Sequence, residues 1–295
     1  YNTMVSPNYI RNNISEEYVN PQTGELHISQ VDYVLTGRNG LDLEIKRLYK
    51  SGMSYLHNMK ARYVNGAWVD YWESDVESSS FYEDRYNLGV GWRFSFPTIE
   101  IKKNSDGTSF NYLHTESGDI YRLVNSTDGT YTLENHFVKD LTVKDDVSFS
   151  HSGRVSKYVM IEKDGKKTYF DSDGRILGIV DRYGNKITFE YSEISYKIDG
   201  YTKKKTLITK ITDTIGRVVN IEYKQDENFK ATKRADGSFP ADLQNKFDVI
   251  IYLPDNTPAN LSDNKKIIYN RSGFLFSSTS GKVIRTRLSN VYDID

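Results

Sequence analysis

Cysteine is absent from the 295 residues of the chain. Its absence excludes thiolate nucleophiles, cysteine-ligated zinc, iron–sulfur clusters and disulfide bonds. No window of about 18 consecutive apolar residues occurs, so we expect no membrane span. The 39 Lys and Arg residues balance 40 Asp and Glu residues, and the basic run at residues 203–205 is only three residues long. Without a basic stripe, we expect neither nucleic acid nor an anionic membrane as a partner.

Motifs that carry known chemistry are missing as well. The sequence contains no Gly-x-Ser-x-Gly elbow and no phosphate-binding loop. Its histidines stand singly, without metal-ligand spacing, and we interpret them as surface or strand-face residues: His27, His57, His114, His136 and His151. We therefore predict no catalytic residue, no metal and no cofactor. An acidic concentration at residues 70–84 leaves a glycosidase open as a third alternative, since such enzymes need two carboxylates that face each other.

Glycine shows where the chain turns. It follows Asp, Asn or Ser at 13 of its 20 positions, and such pairs are typical of hairpin turns because they tolerate positive φ. The runs between them alternate polar and apolar residues, most clearly at 187–191 and 219–223. We therefore predict an all-β fold with antiparallel strands over most of residues 26–223. The only helix candidates are two short stretches at 53–60 and 241–245.

An internal repeat organises this region. An offset of 32 residues aligns Asp181 with Asp213 and Gly184 with Gly216, and Asp171 with Gly174 forms a third Asp-x-x-Gly copy. At the first position of a type I turn, Asp accepts backbone N–H groups, and the glycine takes a left-handed conformation. Each copy that is followed by an apolar-x-apolar-x-Tyr strand forms a hairpin that cannot bury its apolar face alone. We therefore predict an extended antiparallel sheet of repeated hairpins, with these six residues as structural turn positions.

The same residues resemble the YD repeat of Rhs-type proteins. The repeat-like stretches are residues 169–176, 179–185 and 187–191, and residues 19–26, 37–43 and 88–92 are similar to the segment that opens the repeat region in secreted Rhs and wall-associated bacterial proteins. The resemblance covers roughly residues 19–223. The chain departs from the family pattern in three ways. It has only two or three repeats, it has Val180 and Thr212 where the family has Tyr, and it lacks an Asp-Pro cleavage motif.

What the resemblance implies is a strip of sheet that spirals into a hollow shell around a toxic C-terminal domain. On this basis we expect a non-enzymatic structural segment of a secreted polymorphic-toxin shell, extracellular or associated with the cell wall. Its partners would be the remainder of the shell and the C-terminal cargo. We expect residues 1–223 to open the repeat sheet, and residues 224–295 to continue it as a truncated repeat with irregular inserts.

An aromatic insert at residues 52–87 interrupts the family-like pattern. Aromatic rings beside carboxylates and amides suit a sugar-binding platform, and the candidate glycan-binding residues are Trp68, Tyr71 and Trp72. In a strand, Trp68 and Trp72 share one face and Tyr71 lies on the other. The alternative function is therefore a cell-wall or carbohydrate-binding module. If Trp68 and Trp72 are instead buried against the sheet, the insert is a structural cap.

Overall fold

A computed structural model describes residues 15–54, 58–64, 66–73, 81–103, 107–125, 128–135, 140–198, 201–225, 243–254, 265–278 and 281–294. Within these residues, helix is confined to α1 (Phe81–Tyr86) and to two 3-10 turns, Arg38–Gly40 and Ser51–Met53. The strands within these residues are β1 (Ser15–Val19), β2 (Leu26–Leu35), β3 (Leu43–Lys50), β4 (Asn58–Val64), β5 (Ala67–Glu73), β6 (Trp92–Phe94), β7 (Thr98–Lys103), β8 (Ser109–His114), β9 (Ile120–Asn125), β10 (Thr130–Leu133), β11 (Leu141–Asp145), β12 (Ser150–His151), β13 (Arg154–Val155), β14 (Tyr158–Glu162), β15 (Lys167–Phe170), β16 (Ile176–Val180), β17 (Lys186–Ile198), β18 (Tyr201–Thr212), β19 (Val218–Gln225), β20 (Leu243–Tyr252), β21 (Lys266–Ser278) and β22 (Gly281–Ile294).

One large sheet contains most of these strands. Its fourteen strands run in chain order from β7 to β22, and only the small β12–β13 hairpin leaves the series. Neighbouring strands pair antiparallel throughout, as the β16–β17 and β18–β19 pairs illustrate. Strands β1, β2, β3 and β6 form a second sheet, and β4 pairs with β5. The all-β prediction, with hairpin-linked antiparallel strands, is confirmed.

The helix predictions were wrong. Within residues 53–60, the chain leaves the Ser51–Met53 turn and enters β4 at Asn58. Of residues 241–245, those from Leu243 onward begin β20. The α-helix of the described residues is instead α1, which lies inside the aromatic insert at residues 52–87. Burial of Tyr82 and Tyr86 accounts for this difference, because tertiary packing stabilises a short helix that its own propensity does not favour.

A continuous hydrophobic core joins the two larger sheets. Leu43 and Ile45 of β3 and Phe94 of β6 are fully buried in one cluster with residues that span the large sheet, including Phe189 of β17 and Ile251 of β20. The four-stranded sheet therefore packs on the apolar face of the large sheet. No helix in the described part of the chain has the length and apolar character needed to cross a membrane.

The large sheet curls. Five strands separate β7 from β15 in the sheet order, which corresponds to roughly 29 Å in a flat sheet with neighbouring strands about 4.8 Å apart. Yet the backbone N–H of Ile99 in β7 donates to the carbonyl oxygen of Gly174, just after β15, at 2.9 Å. The edge strand β7 is thus hydrogen-bonded to the turn between β15 and β16 of the same sheet.

Candidate functional site

Three hairpin turns share one hydrogen-bonding pattern. They are residues 171–175, 181–185 and 213–217, which we call the anchored, open and bridging turns. In each turn the first Asp accepts the backbone N–H groups of the residues two and four positions later through Oδ1, at distances between 2.8 and 3.0 Å. The glycine N–H donates to the backbone carbonyl of the Asp. The glycine φ angles are +75°, +85° and +90° in chain order, a region that favours glycine.

Two further turns have the same backbone bonds without the aspartate. Residues 115–119 begin with Thr115, whose Oγ1 accepts the N–H of Asp119 at 3.0 Å. Residues 162–166 begin with Glu162. Gly118 and Gly165 take positive φ in the equivalent position. Their Ser-Gly and Asp-Gly pairs are among those that indicate hairpin turns, but neither turn has the Asp-x-x-Gly spacing of the repeat copies.

The anchored turn is a junction between distant parts of the chain. The carbonyl oxygen of Gly174 accepts both the Ile99 N–H at 2.9 Å and the Thr98 hydroxyl at 2.8 Å. Arg85 of α1 donates to the carbonyl oxygen of Asp173 at 2.7 Å. A Cβ atom at Gly174 would lie 2.0 Å from the carbonyl oxygen of Ile99. Glycine is therefore required here by contact as well as by φ.

The open and bridging turns differ from the anchored turn in what surrounds their glycines. A Cβ atom at Gly184 or Gly216 would have no atom of another part of the chain within 4 Å. The bridging turn nevertheless reaches the four-stranded sheet, because Thr214 Oγ1 accepts the N–H of Arg38 at 2.7 Å and Arg217 donates to the Thr36 carbonyl at 2.6 Å. The same local motif thus has three different tertiary surroundings.

A buried ion pair also joins the two sheets. Arg47 of β3 donates through Nε and Nη2 to the Asp32 carboxylate of β2 at 2.5 and 2.8 Å. Tyr269 of β21 donates its hydroxyl to the same carboxylate at 2.7 Å. The Arg47 guanidinium lies between the rings of Trp92 and Tyr269, 5.3 and 5.4 Å from their centroids. Through Tyr269, this buried ion pair connects the small sheet to β21 of the large sheet.

His114 lies at the centre of a second buried polar group. Its Nδ1 is 2.9 Å from the Tyr82 hydroxyl and its Nε2 is 3.0 Å from Glu100 Oε2. Burial raises the pKa of Tyr82 to about 12, so the hydroxyl keeps its proton and donates to Nδ1, while Nε2–H donates to Glu100. Burial lowers the pKa of His114 to about 4, even though the hydrogen bond to Glu100 opposes this shift. Both Tyr82 and His114 are 1% exposed, so this buried group connects α1 to the large sheet.

A groove of about 640 Å³ opens where the turns meet the small sheet. We call it the turn-end groove. Its residues come from the segment before and within β3, the segment before β7, three of the turns, and strands β16 and β17: Asn39, Gly40, Leu41, Asp42, Leu43, Glu44, Lys46, Ser95, Phe96, Pro97, Glu116, Ser117, Asp164, Lys166, Ile179, Asp181, Arg182, Tyr183 and Ile187. Sequence analysis did not find this groove, because its walls lie far apart along the chain.

The aromatic insert contains the β4–β5 hairpin. In its register Tyr63 pairs with Trp68, Lys60 with Tyr71, and Met59 with Trp72. The structure describes the backbone of this hairpin, and the exposure of Trp68, Tyr71 and Trp72 lies outside the described side chains. The prediction that they form a glycan platform or a structural cap stays a prediction.

Among the acidic residues of the insert, the structure describes the side chains of Glu83 and Asp84. Glu83 is 1% exposed within α1, whereas Asp84 forms an ion pair with Lys205 at 3.2 Å. Asp75 and Glu77 lie outside the described residues. Among the described side chains, no group of three or more His, Asp or Glu residues is arranged to hold a metal ion. The glycosidase alternative stays a prediction.

Comparison of the chain with protein-family models finds no match, and comparison with curated proteins finds none either. The similarity to the YD repeat therefore rests on the motif residues themselves.

Proposed function

We propose that this chain is a non-enzymatic scaffold segment of a secreted bacterial Rhs-type wall, extracellular or associated with the cell wall. In this proposal its large sheet is a portion of a longer strip that encloses or presents a C-terminal toxin. Its partners are the rest of that strip and the cargo. The observation that carries the proposal is the single fourteen-stranded ladder in chain order, curled until its first edge bonds to the anchored turn.

The two faces of this ladder suit a wall. On the inner face, Phe189 pairs with Ile211 and Ile211 with Val219, all three buried. On the opposite face, the neighbouring pair Glu190 and Lys210 forms an ion pair at 2.9 Å. Because strand residues alternate between faces, the row opposite the apolar one continues from Lys210 to Asn220 and Tyr252 in the next two strands. Each added hairpin extends both rows.

The small sheet limits what this segment encloses. It occupies the apolar face of the large sheet, and the turn-end groove of about 640 Å³ is far too small for a folded domain. The proposal therefore assigns the segment to the wall and places the cargo against other parts of the strip. The bond from Tyr269 to the Asp32 carboxylate, which is also paired with Arg47, then holds the small sheet against the large one.

The test begins with the gene that encodes the chain. We expect the natural reading frame to contain further Asp-x-x-Gly hairpins and a separate C-terminal domain. Electron cryo-microscopy of the full protein should show a closed wall continuous with the fourteen-stranded sheet, and limited proteolysis should spare the C-terminal domain. A reading frame without further repeats, or a C-terminal domain digested as fast as the free domain, would refute the proposal.

A matched pair of variants in the full protein makes the proteolysis assay specific. Gly174→Ala disrupts the anchored turn, whereas Gly184→Ala changes a turn of the same local geometry that faces open space. We expect the first variant to shorten the lifetime of the C-terminal domain in protease, and the second to leave it close to that of the natural protein.

A further inference from the structure

We propose that the turn-end groove binds a neutral oligosaccharide. Its volume of about 640 Å³ lies within the range of about 300–1,000 Å³ that is common for small-molecule sites. The proposal is independent of the scaffold role and concerns residues other than those of the aromatic insert.

The walls of the groove are held in place by the protein. Asp42 Oδ1 accepts the N–H of Gly37 at 2.7 Å, and Arg38 N–H donates to Thr214 on the bridging turn. Opposite this loop, Asp181 holds the open turn through its bonds to the N–H groups of Tyr183 and Asn185. A preformed groove loses little conformational entropy when a ligand enters, which favours affinity.

An aromatic ring stands at the rim above an apolar floor. Phe96, Pro97 and Ile187 are buried residues of the lining, whereas Tyr183 is 62% exposed. Arg182 holds the Tyr183 ring, since its guanidinium carbon lies 4.7 Å from the ring centroid and Nη2 donates to the hydroxyl at 2.6 Å. A held ring beside an apolar floor offers a stacking surface for the C–H face of a sugar.

The polar groups of the lining favour an uncharged ligand. Five carboxylates face three cations: Asp42, Glu44, Glu116, Asp164 and Asp181 against Lys46, Lys166 and Arg182. The excess of negative charge disfavours phosphates and uronic acids. Sugar hydroxyls both donate and accept, so they can use carboxylates as acceptors and ammonium groups as donors.

Several of these charges already have partners within the protein. Lys166 forms ion pairs with Glu116 at 3.4 Å and with Glu162 at 2.9 Å. The carboxylates of Asp42, Asp164 and Asp181 each accept at least one backbone N–H group. This pairing weakens the attraction for a cationic peptide, which would otherwise be the competing ligand. A neutral polyol needs no such free charge.

The experiment screens the protein against an array of neutral and acidic oligosaccharides of three to eight units. The strongest neutral binder is then titrated calorimetrically, with inorganic phosphate and a Lys-rich heptapeptide as the alternative ligands. We expect a neutral sugar to bind and Tyr183→Ala to weaken it about tenfold, the effect of losing one stacked ring. Tyr183→Phe should retain most of the affinity. The control Tyr292→Ala removes a ring of β22 that is 48% exposed and should change nothing.

Three results would overturn the proposal: no neutral sugar bound at millimolar concentration, equal affinity of the natural protein and Tyr183→Ala, or binding of the peptide or phosphate alone. Because Tyr183 is exposed, the variant should fold, and its melting temperature verifies this. A negative result here leaves the scaffold proposal standing, since that proposal is tested by the reading frame and by cargo protection.

Discussion

The anchored turn and the open turn have the same local chemistry and different tertiary roles. Asp171 and Asp181 accept equivalent backbone N–H groups, and Gly174 and Gly184 take nearly the same φ. Only at Gly174 does another strand press against the turn, with the Ile99 carbonyl where a Cβ atom would lie. Equivalent turns in a repeat therefore need not contribute equally to the stability of the fold.

The comparison separates two reasons for glycine. At Gly184 the requirement is conformational, and residues that tolerate positive φ satisfy it at modest cost. At Gly174 the requirement is also steric, because backbone atoms of β7 have no room to move away without breaking the bond between Ile99 and Gly174. The following predictions test this difference, from the largest effect to the smallest.

Gly174→Ala should lower the free energy of unfolding by about 3–5 kcal/mol, since it combines positive-φ strain with a backbone clash. Gly184→Ala should lower it by about 1 kcal/mol, the cost of the left-handed conformation alone. Urea denaturation followed by intrinsic fluorescence measures both values. Equal losses in the two variants would show that β7 does not press on the anchored turn.

Acidic pH should destabilise the part of the fold around the anchored turn. His114 is the cross-strand partner of Thr98, which bonds Gly174, and burial holds its pKa near 4, below the usual value of 6.5. Between pH 4 and pH 6.5, His114 therefore binds a proton in the unfolded chain but not in the folded chain. The contribution of neutral His114 to the free energy of unfolding is fully present above pH 6.5. It falls as the pH drops from 6.5 to 4, by an amount on the order of 2–3 kcal/mol.

Two measurements check the acid effect. Urea unfolding at pH 7.5, 5.5 and 4.5 should show the fall, and His114→Gln should show a smaller pH dependence although it is less stable at pH 7.5. Hydrogen exchange at the Ile99 amide should accelerate at pH 4.5, after correction for intrinsic rates, more than exchange at the Gly184 amide. A pH dependence unchanged in the Gln variant would assign the effect to other groups.

Asp171→Ala should lower stability by about 2 kcal/mol, because it removes a buried charged acceptor and leaves its donors without a partner. These include the Arg154 guanidinium at 2.7 Å as well as two backbone N–H groups. Asp181→Ala should have a smaller effect, since its contacts stay within residues 181–185. Differential scanning calorimetry of both variants ranks them. A larger loss at Asp181 would contradict the assigned roles.

Thr98→Val should cost about 1 kcal/mol or less, since it removes one hydroxyl bond to Gly174 and preserves the side-chain shape. The matched control is Thr132→Val, which removes an exposed hydroxyl bond to Val124 at 3.3 Å. Chemical denaturation should distinguish the two variants, with the control close to the natural protein. If Thr98→Val matches its control, the backbone bond from Ile99 alone carries the anchor.

The sequence was sufficient for the strands and for much of the turn chemistry, because both depend on neighbouring residues. Alternation at 187–191 indicates a strand, and β17 contains these residues. Alternation cannot indicate α1, whose six residues become helical through the burial of Tyr82, Glu83 and Tyr86. It also could not relate Gly174 to Ile99, which is 75 residues away in the chain.

The all-β class and the positions of the Asp-x-x-Gly turns follow from local sequence, since side-chain alternation and positive φ are local properties. The tertiary structure alone decided which turn became a junction, where Arg47 met Asp32 and Tyr269, and which segments formed the turn-end groove. These features depend on how far the sheet curls. Curling sums small twists over many strands, so no single stretch of residues encodes it.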